Sequence, residues 1–257
     1  MEHLLNNKYY IMRNGDFATC ANTKILYCLF AIILSLEDYL INSSTSCWNI
    51  MIGSTLIWTF IEFILYITNT RIIKPMYLNS FFLSTNTKVE LPKFLALFLQ
   101  GFQEGGLITT IGLYFGDRLD NINYMIFFHI FILFTIINIL FKRNYQQSSK
   151  RQINTKGSLI LMSLVTLYNT IMLYLYPVHI YRQLKMFLAM IYFCSFWTFF
   201  AWYKGFRTTQ VDTINENNEY IKKSINYLDT FLILGYDVIF EIGIAYLTFY
   251  NLFIVNN

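Results

Sequence analysis

The sequence contains seven apolar runs, each close to the roughly 20 residues that a helix needs to cross the hydrocarbon core of a bilayer. Only 13% of the residues are charged, against roughly 25% in a soluble domain. This composition excludes a soluble enzyme, a disordered chain and a nucleic-acid-binding protein that works through a basic surface. It predicts an all-α, polytopic membrane protein in which one domain, residues 1–257, forms a bundle of about seven transmembrane helices. The predicted spans are residues 24–41, 48–69, 94–116, 122–141, 158–177, 186–203 and 230–255.

The distribution of basic residues predicts how this bundle is oriented. With seven spans, 16 of the 19 Lys and Arg residues fall on the side of the N-terminus and three on the opposite side. The positive-inside rule then places the N-terminus in the cytosol and the C-terminus on the non-cytosolic side. Residues 1–23 become a cytosolic tail, and residues 204–229 a cytosolic loop that forms at most a short helix. Residues 71–93 are expected to lie at the membrane interface.

Few motifs add to this picture. Asn42 begins the only Asn-x-Ser/Thr sequon, in the first predicted external loop, which agrees with the orientation but gives it only weak support. The sequence suggests no metal site and no cofactor. The expected partners are the bilayer itself, anionic lipid headgroups at the basic cytosolic loops, and a small cation or a lipid, with no role for nucleic acid.

Acidic residues, unlike basic ones, fall inside the predicted spans. Six of the 15 Asp and Glu residues do so, whereas none of the 19 Lys and Arg residues falls in a span interior. An ionisable group at this depth costs roughly 2.5 to 3.5 kcal/mol, so it normally faces the interior of the bundle. Without a basic partner, several such carboxylates must be protonated, share protons or bind a cation. The four acids predicted to share one depth are Glu62, Glu104, Asp237 and Glu241.

Helical spacing places further polar and small residues beside these acids. Gln100 and Gln103 lie on the same helical stripe as Glu104, and Asp237 and Glu241 are also one turn apart. The same third span carries small residues that allow another helix to approach its backbone closely. These predicted helix-packing residues are Gly101, Gly105 and Gly112.

Three functions are compatible with this pattern. The first is a transporter-like or channel-like protein in which the four acids, with Gln100 and Gln103, bind a proton or a cation. The second is an intramembrane lipid-modifying enzyme that uses a buried carboxylate as general acid or base on a lipid entering from the cytosolic leaflet. The third is a non-catalytic receptor or assembly subunit whose glycine face contacts a partner helix.

Overall fold

The protein is a multi-pass, largely helical membrane protein. The computed structural model describes residues 6–16, 18–79, 88–141, 145–153 and 155–255. Within these residues, six helices are long and apolar enough to cross a membrane, and each overlaps a predicted span. The helices are α1 (Ala21–Asn42), α2 (Ser46–Ile67), α3 (93–116), α4 (Ile122–Leu140), α5 (Thr155–Leu175), α6 (Ile180–Tyr203) and α7 (Tyr227–Val255). The six are all of these except α3.

Two of the helices, α3 and α7, change to π-helical hydrogen bonding part-way along. The backbone stays in the right-handed helical region at the junctions, so neither helix is broken there. A π-helical turn is rare and is found frequently at functional sites. In α3 it separates Lys93–Gly101 from Ile108–Gly116, and in α7 it separates Tyr227–Tyr236 from Ala245–Tyr250. The π-helical segments are Phe102–Leu107, Asp237–Ile244 and, at the end of α7, Asn251–Val255.

A five-stranded antiparallel sheet accompanies the helices. The all-α prediction did not include this sheet. Its strand order is β2-β5-β1-β6-β7, so the strand nearest the N-terminus is central. The expectation that residues 204–229 form at most a short helix is wrong, because β6 and β7 lie there. The strands of this sheet are β1 (Lys8–Asn14), β2 (Arg71–Ile73), β5 (Gln147–Ile153), β6 (Arg207–Ile214) and β7 (Tyr220–Lys223). A separate hairpin pairs β3 (Tyr77–Asn79) with β4 (Lys88–Glu90).

The sheet is assembled from four segments, all of which the predicted orientation places on the same side of the membrane as the N-terminus. They are the tail before α1 and the connections α2–α3, α4–α5 and α6–α7. One face of the sheet packs on the bundle, where Ile11, Ile153 and Val211 form a small hydrophobic cluster with Ile233 of α7. The part of the predicted interfacial stretch that is described forms β2, β3 and β4, while residues 80–87 lie outside the described residues.

Helix α3 lies at the centre of the bundle and α5 at its edge. Every residue of α3 from Thr109 to Gly116 is buried, whereas α5 buries only Asn169 and Met172. The glycines of α3 make this central position possible: Gly101 and Gly105 lie against α2, and Gly112 against α6. The close helix approach expected of these glycines is therefore made by helices of the same chain, and α2 and α6 cover the glycine face of α3.

Candidate functional site: a charged cavity between sheet and helices

The four acids singled out in the sequence converge where the sheet meets the helices. Glu62 comes from α2, Glu104 from α3, and Asp237 and Glu241 from α7. Arg71 contacts both Glu62 and Glu104, and Arg151 contacts both Asp237 and Glu241. Arg71 therefore links an acid of α2 to one of α3, and Arg151 links the two acids of α7.

The expectation that no basic side chain reaches the depth of these acids is wrong. Each acid has at least one arginine partner, because the strands fold back against the bundle and their long side chains extend into it. Arg71 and Arg207, although they precede or follow spans in the sequence, are almost completely buried. The ion pairs are Arg13 with Glu104 (2.5 Å), Arg71 with Glu104 (2.9 Å) and Glu62, Arg151 with Asp237 (2.8 Å) and Glu241 (2.6 Å), and Arg207 with Asp237.

The register of the sheet places these arginines in two cross-strand pairs. Arg71 of β2 lies directly opposite Arg151 of β5, and Arg13 of β1 lies directly opposite Arg207 of β6. Like charges directly opposite each other destabilise a sheet. The helix carboxylates offset this repulsion, so the positive charge of the sheet is balanced by the negative charge of the helices.

The carboxylates also affect the proton affinity of the guanidinium groups. Burial lowers the pKa of Arg71 and of Arg151, but the neighbouring carboxylates more than offset it and hold both pKa values above the usual range. Burial lowers the pKa of Arg207 as well, and there it outweighs Asp237, with Arg13 adding to the lowering. Arg207 is thus the least compensated of these three cations.

Lys24, the first residue of the predicted span 24–41, is a further buried cation and lies one turn inside α1. It is 0% exposed, and its Nζ donates to Gln100 Oε1 at 2.6 Å and to Gln103 Oε1 at 2.5 Å. The Gln100 amide in turn donates to Glu104. The oxygens of the two glutamines therefore accept hydrogen bonds from a lysine, which was not foreseen.

Three of the four acids lie in π-helical turns. Glu104 falls in the π-helical turn of α3, and Asp237 and Glu241 both fall in that of α7. The Tyr246 hydroxyl, from α7, donates to the Glu104 backbone carbonyl at 2.6 Å, and the Trp58 indole N–H donates to a Glu104 carboxylate oxygen at 3.2 Å. These contacts hold α2, α3 and α7 together around the acids.

The charged groups line a cavity with about 740 Å³ of empty space, a figure that includes solvent at its opening. Aromatic side chains, among them Trp58, Trp197 and Tyr246, form much of the remaining wall. The thiol-bearing Cys194 and the hydroxyl-bearing Thr198 of α6 complete it. The charged residues that line it are Arg13, Arg71, Arg151, Arg207, Glu104, Asp237 and Glu241.

An apolar groove adjoins this cavity on the outside of the bundle. The groove has a volume of about 1190 Å³, its open side included, and it runs between α2, α5 and α7. Leu161, Val165 and Leu252 are among its apolar lining residues. Trp58, Arg151 and Glu241 line both the groove and the cavity. The groove therefore ends at the charged groups.

The residue of the predicted sequon, Asn42, lies away from the charged cavity. Asn42 is exposed at the end of α1, and its side-chain amide donates to Asp38 at 2.9 Å. Among the residues that the structure describes, no group of three His, Cys, Asp or Glu side chains could hold a metal ion. Comparisons of the chain with protein-family models, with curated proteins and with solved structures found no match.

Proposed function

We propose that this protein binds the head of a membrane lipid in the charged cavity, and that the lipid reaches the cavity from the side. The observation that carries the proposal is that the apolar groove adjoins the cavity and shares Trp58, Arg151 and Glu241 with it as lining residues. An amphiphile has the matching arrangement, with a polar head joined to an apolar chain. A water-soluble solute would gain no binding energy from the apolar groove.

The proposal includes the topology that brings the lipid to this site. All seven helices, α3 included, cross the membrane, with the N-terminus and the sheet on the cytosolic side. Two observations support this: the sheet joins four segments separated by pairs of helices, and these segments and their flanks carry 16 of the 19 Lys and Arg residues. The groove then opens toward the cytosolic leaflet beside α5, the helix with the fewest buried residues.

The physical roles of groove and cavity differ. A lipid chain that moves from the bilayer into the groove exchanges one apolar environment for another, so it gains little hydrophobic free energy. The groove supplies access, and the cavity supplies affinity through hydrogen bonds to its guanidinium groups. In the lipid-modifying form of this proposal, Glu104 or Glu241 acts as general acid or base on the bound head.

A groove-blocking substitution tests the proposal. Leu161→Trp fills the groove, whereas Leu164→Trp adds the same side chain to a position of similar exposure (59% against 55%) that does not line the groove. We expect photo-crosslinking of a diazirine-tailed lipid to fall several-fold in Leu161→Trp and to stay at the wild-type level in Leu164→Trp. Mass spectrometry of the extracted lipid distinguishes binding from conversion. Equal crosslinking of both variants contradicts lateral access.

One observation favours a second function, the binding of a proton or a cation. Among the described residues, the buried Glu62 Oε2 has no hydrogen-bond partner. A cation beside this oxygen would give it a partner, and a proton on the carboxyl group would remove its buried charge. Glu62→Gln should then abolish pH-dependent ion flux in proteoliposomes, and wild-type flux in this variant contradicts the second function. The receptor or assembly function has less support, because the glycine face of α3 is covered by α2 and α6.

A further inference from the structure

We infer that the head bound in the cavity is a phosphate ester that carries one net negative charge. The inference rests on the proposed lipid-binding function and names the chemistry of its ligand. Three independent features of the site lead to it: the charge balance, the free donor capacity of the arginines and the shape that this donor set can hold.

The charge balance of the cluster is positive, and every side chain in it is at most 18% exposed. Its cations are the four sheet arginines and Lys24, and its anions are the carboxylates of Glu62, Glu104, Asp237 and Glu241. With every group ionised, five cations face four anions. Uncompensated charge in a low dielectric is costly, so one additional negative charge stabilises the cluster.

The arginines have donors to offer such an anion. A guanidinium carries five N–H donors. Arg71 makes its pairs with both Glu62 and Glu104 through Nη1 alone, and Arg151 makes its pairs with both Asp237 and Glu241 through Nη2 alone. Among the described residues, Arg207 Nε has no hydrogen-bond partner although Arg207 is only 3% exposed and lines the cavity. An anion can therefore bind without displacing the carboxylates.

Arg207, which carries this unused donor, and its neighbour Arg13 both contact the ring of Trp197. The guanidinium carbons of Arg13 and Arg207 lie 5.8 Å and 5.4 Å from the centre of the Trp197 ring. Such cation–π contacts restrict the guanidinium groups without using their hydrogen-bond donors. Thr198, which accepts a bond from Arg207 at 3.3 Å, adds a hydroxyl to the same wall.

The arrangement of donors favours a phosphate over a carboxylate. Four guanidinium groups converge on the cavity from two cross-strand pairs. A carboxylate offers two oxygens in one plane, whereas a phosphate diester offers two charged oxygens and two ester oxygens in a tetrahedral arrangement. The guanidinium fork of arginine matches both carboxylate and phosphate oxygens, so the preference for phosphate comes from the number and spread of its oxygens. A zwitterionic head adds no net negative charge, so it leaves the excess uncompensated.

Thermal unfolding of the purified full-length protein with defined ligands tests the inference. The ligands are phosphatidylglycerol, phosphatidylcholine, oleate and inorganic phosphate, each titrated in the same neutral detergent. We expect phosphatidylglycerol to bind at least about 10-fold more tightly than phosphatidylcholine or oleate, the factor that one charged hydrogen bond supplies. Inorganic phosphate should compete with it only weakly, because it lacks a chain.

Two variants separate the cavity from general attraction to a basic surface. Arg207→Gln/Asp237→Asn removes one cation and its carboxylate partner together, so the net charge of the cluster is unchanged and Arg151 still pairs with Glu241. The preference for phosphatidylglycerol should fall about 10-fold in this variant. Lys222→Gln removes an exposed charge of β7 away from the cavity and should leave the preference unchanged. A preference lost equally in both variants overturns the inference.

The remaining outcomes are distinct. If phosphatidylcholine and oleate bind as tightly as phosphatidylglycerol, lipid binding stands and the phosphate inference is wrong. Stabilisation by inorganic phosphate equal to that by phosphatidylglycerol overturns the lipid as the source of the phosphate. If none of the lipids stabilises the protein, the proposed function itself fails.

Discussion

Arg151 of β5 and Glu241 of α7 form an ion pair of 2.6 Å at the point where the apolar groove meets the charged cavity. The same guanidinium nitrogen also contacts Asp237 at 2.8 Å. One side chain of the sheet thus compensates two carboxylates of one π-helical turn. Removing it leaves both of them in a buried environment with less compensation.

The first prediction concerns this ion pair. Arg151→Gln should lower the free energy of unfolding by about 3 to 5 kcal/mol, because it leaves buried carboxylates under-compensated. Arg151→Gln/Glu241→Gln should recover part of that loss. Chemical denaturation in detergent measures all four corners of this double-mutant cycle. Additive losses in the two single variants would show that the pair is not coupled.

The second prediction is an asymmetry around Arg71. Glu62→Gln should cost only about 1 kcal/mol, since Arg71 keeps Glu104 as a partner. Arg71→Met should cost about 3 kcal/mol or more, because it leaves the fully buried Glu62 carboxylate without its arginine. Thermal unfolding of the two variants under identical conditions measures the difference. Equal losses, or a larger loss in Glu62→Gln, contradict the described pairing.

The third prediction uses two glycines as a matched pair. A Cβ at Gly105 would lie 2.6 Å from the Ser54 carbonyl oxygen and 2.8 Å from Trp58 Cβ, so Gly105→Ala should cost about 1 to 3 kcal/mol. A Cβ at Gly235 meets nothing within 4 Å, so Gly235→Ala should stabilise the helix by about 0.5 to 1 kcal/mol. The two substitutions should therefore change the free energy of unfolding in opposite directions, as chemical denaturation in detergent would measure. A neutral Gly105→Ala argues against close packing of α2 on α3.

The fourth prediction concerns the side of the membrane on which the sheet lies. Single cysteines at Ile72 of β2 and Lys222 of β7, both exposed positions, should react with a membrane-impermeant maleimide from the cytosolic side. A cysteine at Thr45, between α1 and α2, should react from the other side. Cys20→Ser provides the background, since the other three native cysteines are buried. Labelling of all three positions from one side contradicts the topology.

The helices could be predicted from the sequence because apolar length is a local property. The clearest boundary error is at α6, which begins at Ile180 rather than near residue 186. Arg182 and Lys185, which fall between the predicted spans 158–177 and 186–203, lie on the helix and pair with Asp117 and Asp120. Each partner lies 65 residues earlier in the chain, so the sequence alone does not reveal the pairing.

The sheet was harder to predict because strand pairing connects distant residues. Gln147–Ile153 has no apolar alternation, and its pairing of Ile153 with Tyr9 cannot be read from either segment alone. A signal did exist in β6, where Thr209, Val211 and Thr213 alternate with other residues as strands require.

The same difference explains the outcome at the site. The acids were found because their depth follows from their position along a helix. The arginines were missed because sequence position places them outside the membrane, while the sheet turns Arg71 and Arg207 toward the helices. The position of a buried acid can therefore be predicted from its helix alone, but its arginine partner can be identified only from the tertiary structure.

The order of the strands has a consequence for how the chain is made. β1, the central strand, is synthesised first, yet its neighbours β5 and β6 begin only at Gln147 and Arg207. Both of its edges lack these partners while α1 to α4 are synthesised, and one edge still does until α6 is complete. A ribosome-bound chain that ends before residue 207 therefore exposes an open strand edge, on which a chaperone or a second chain could pair.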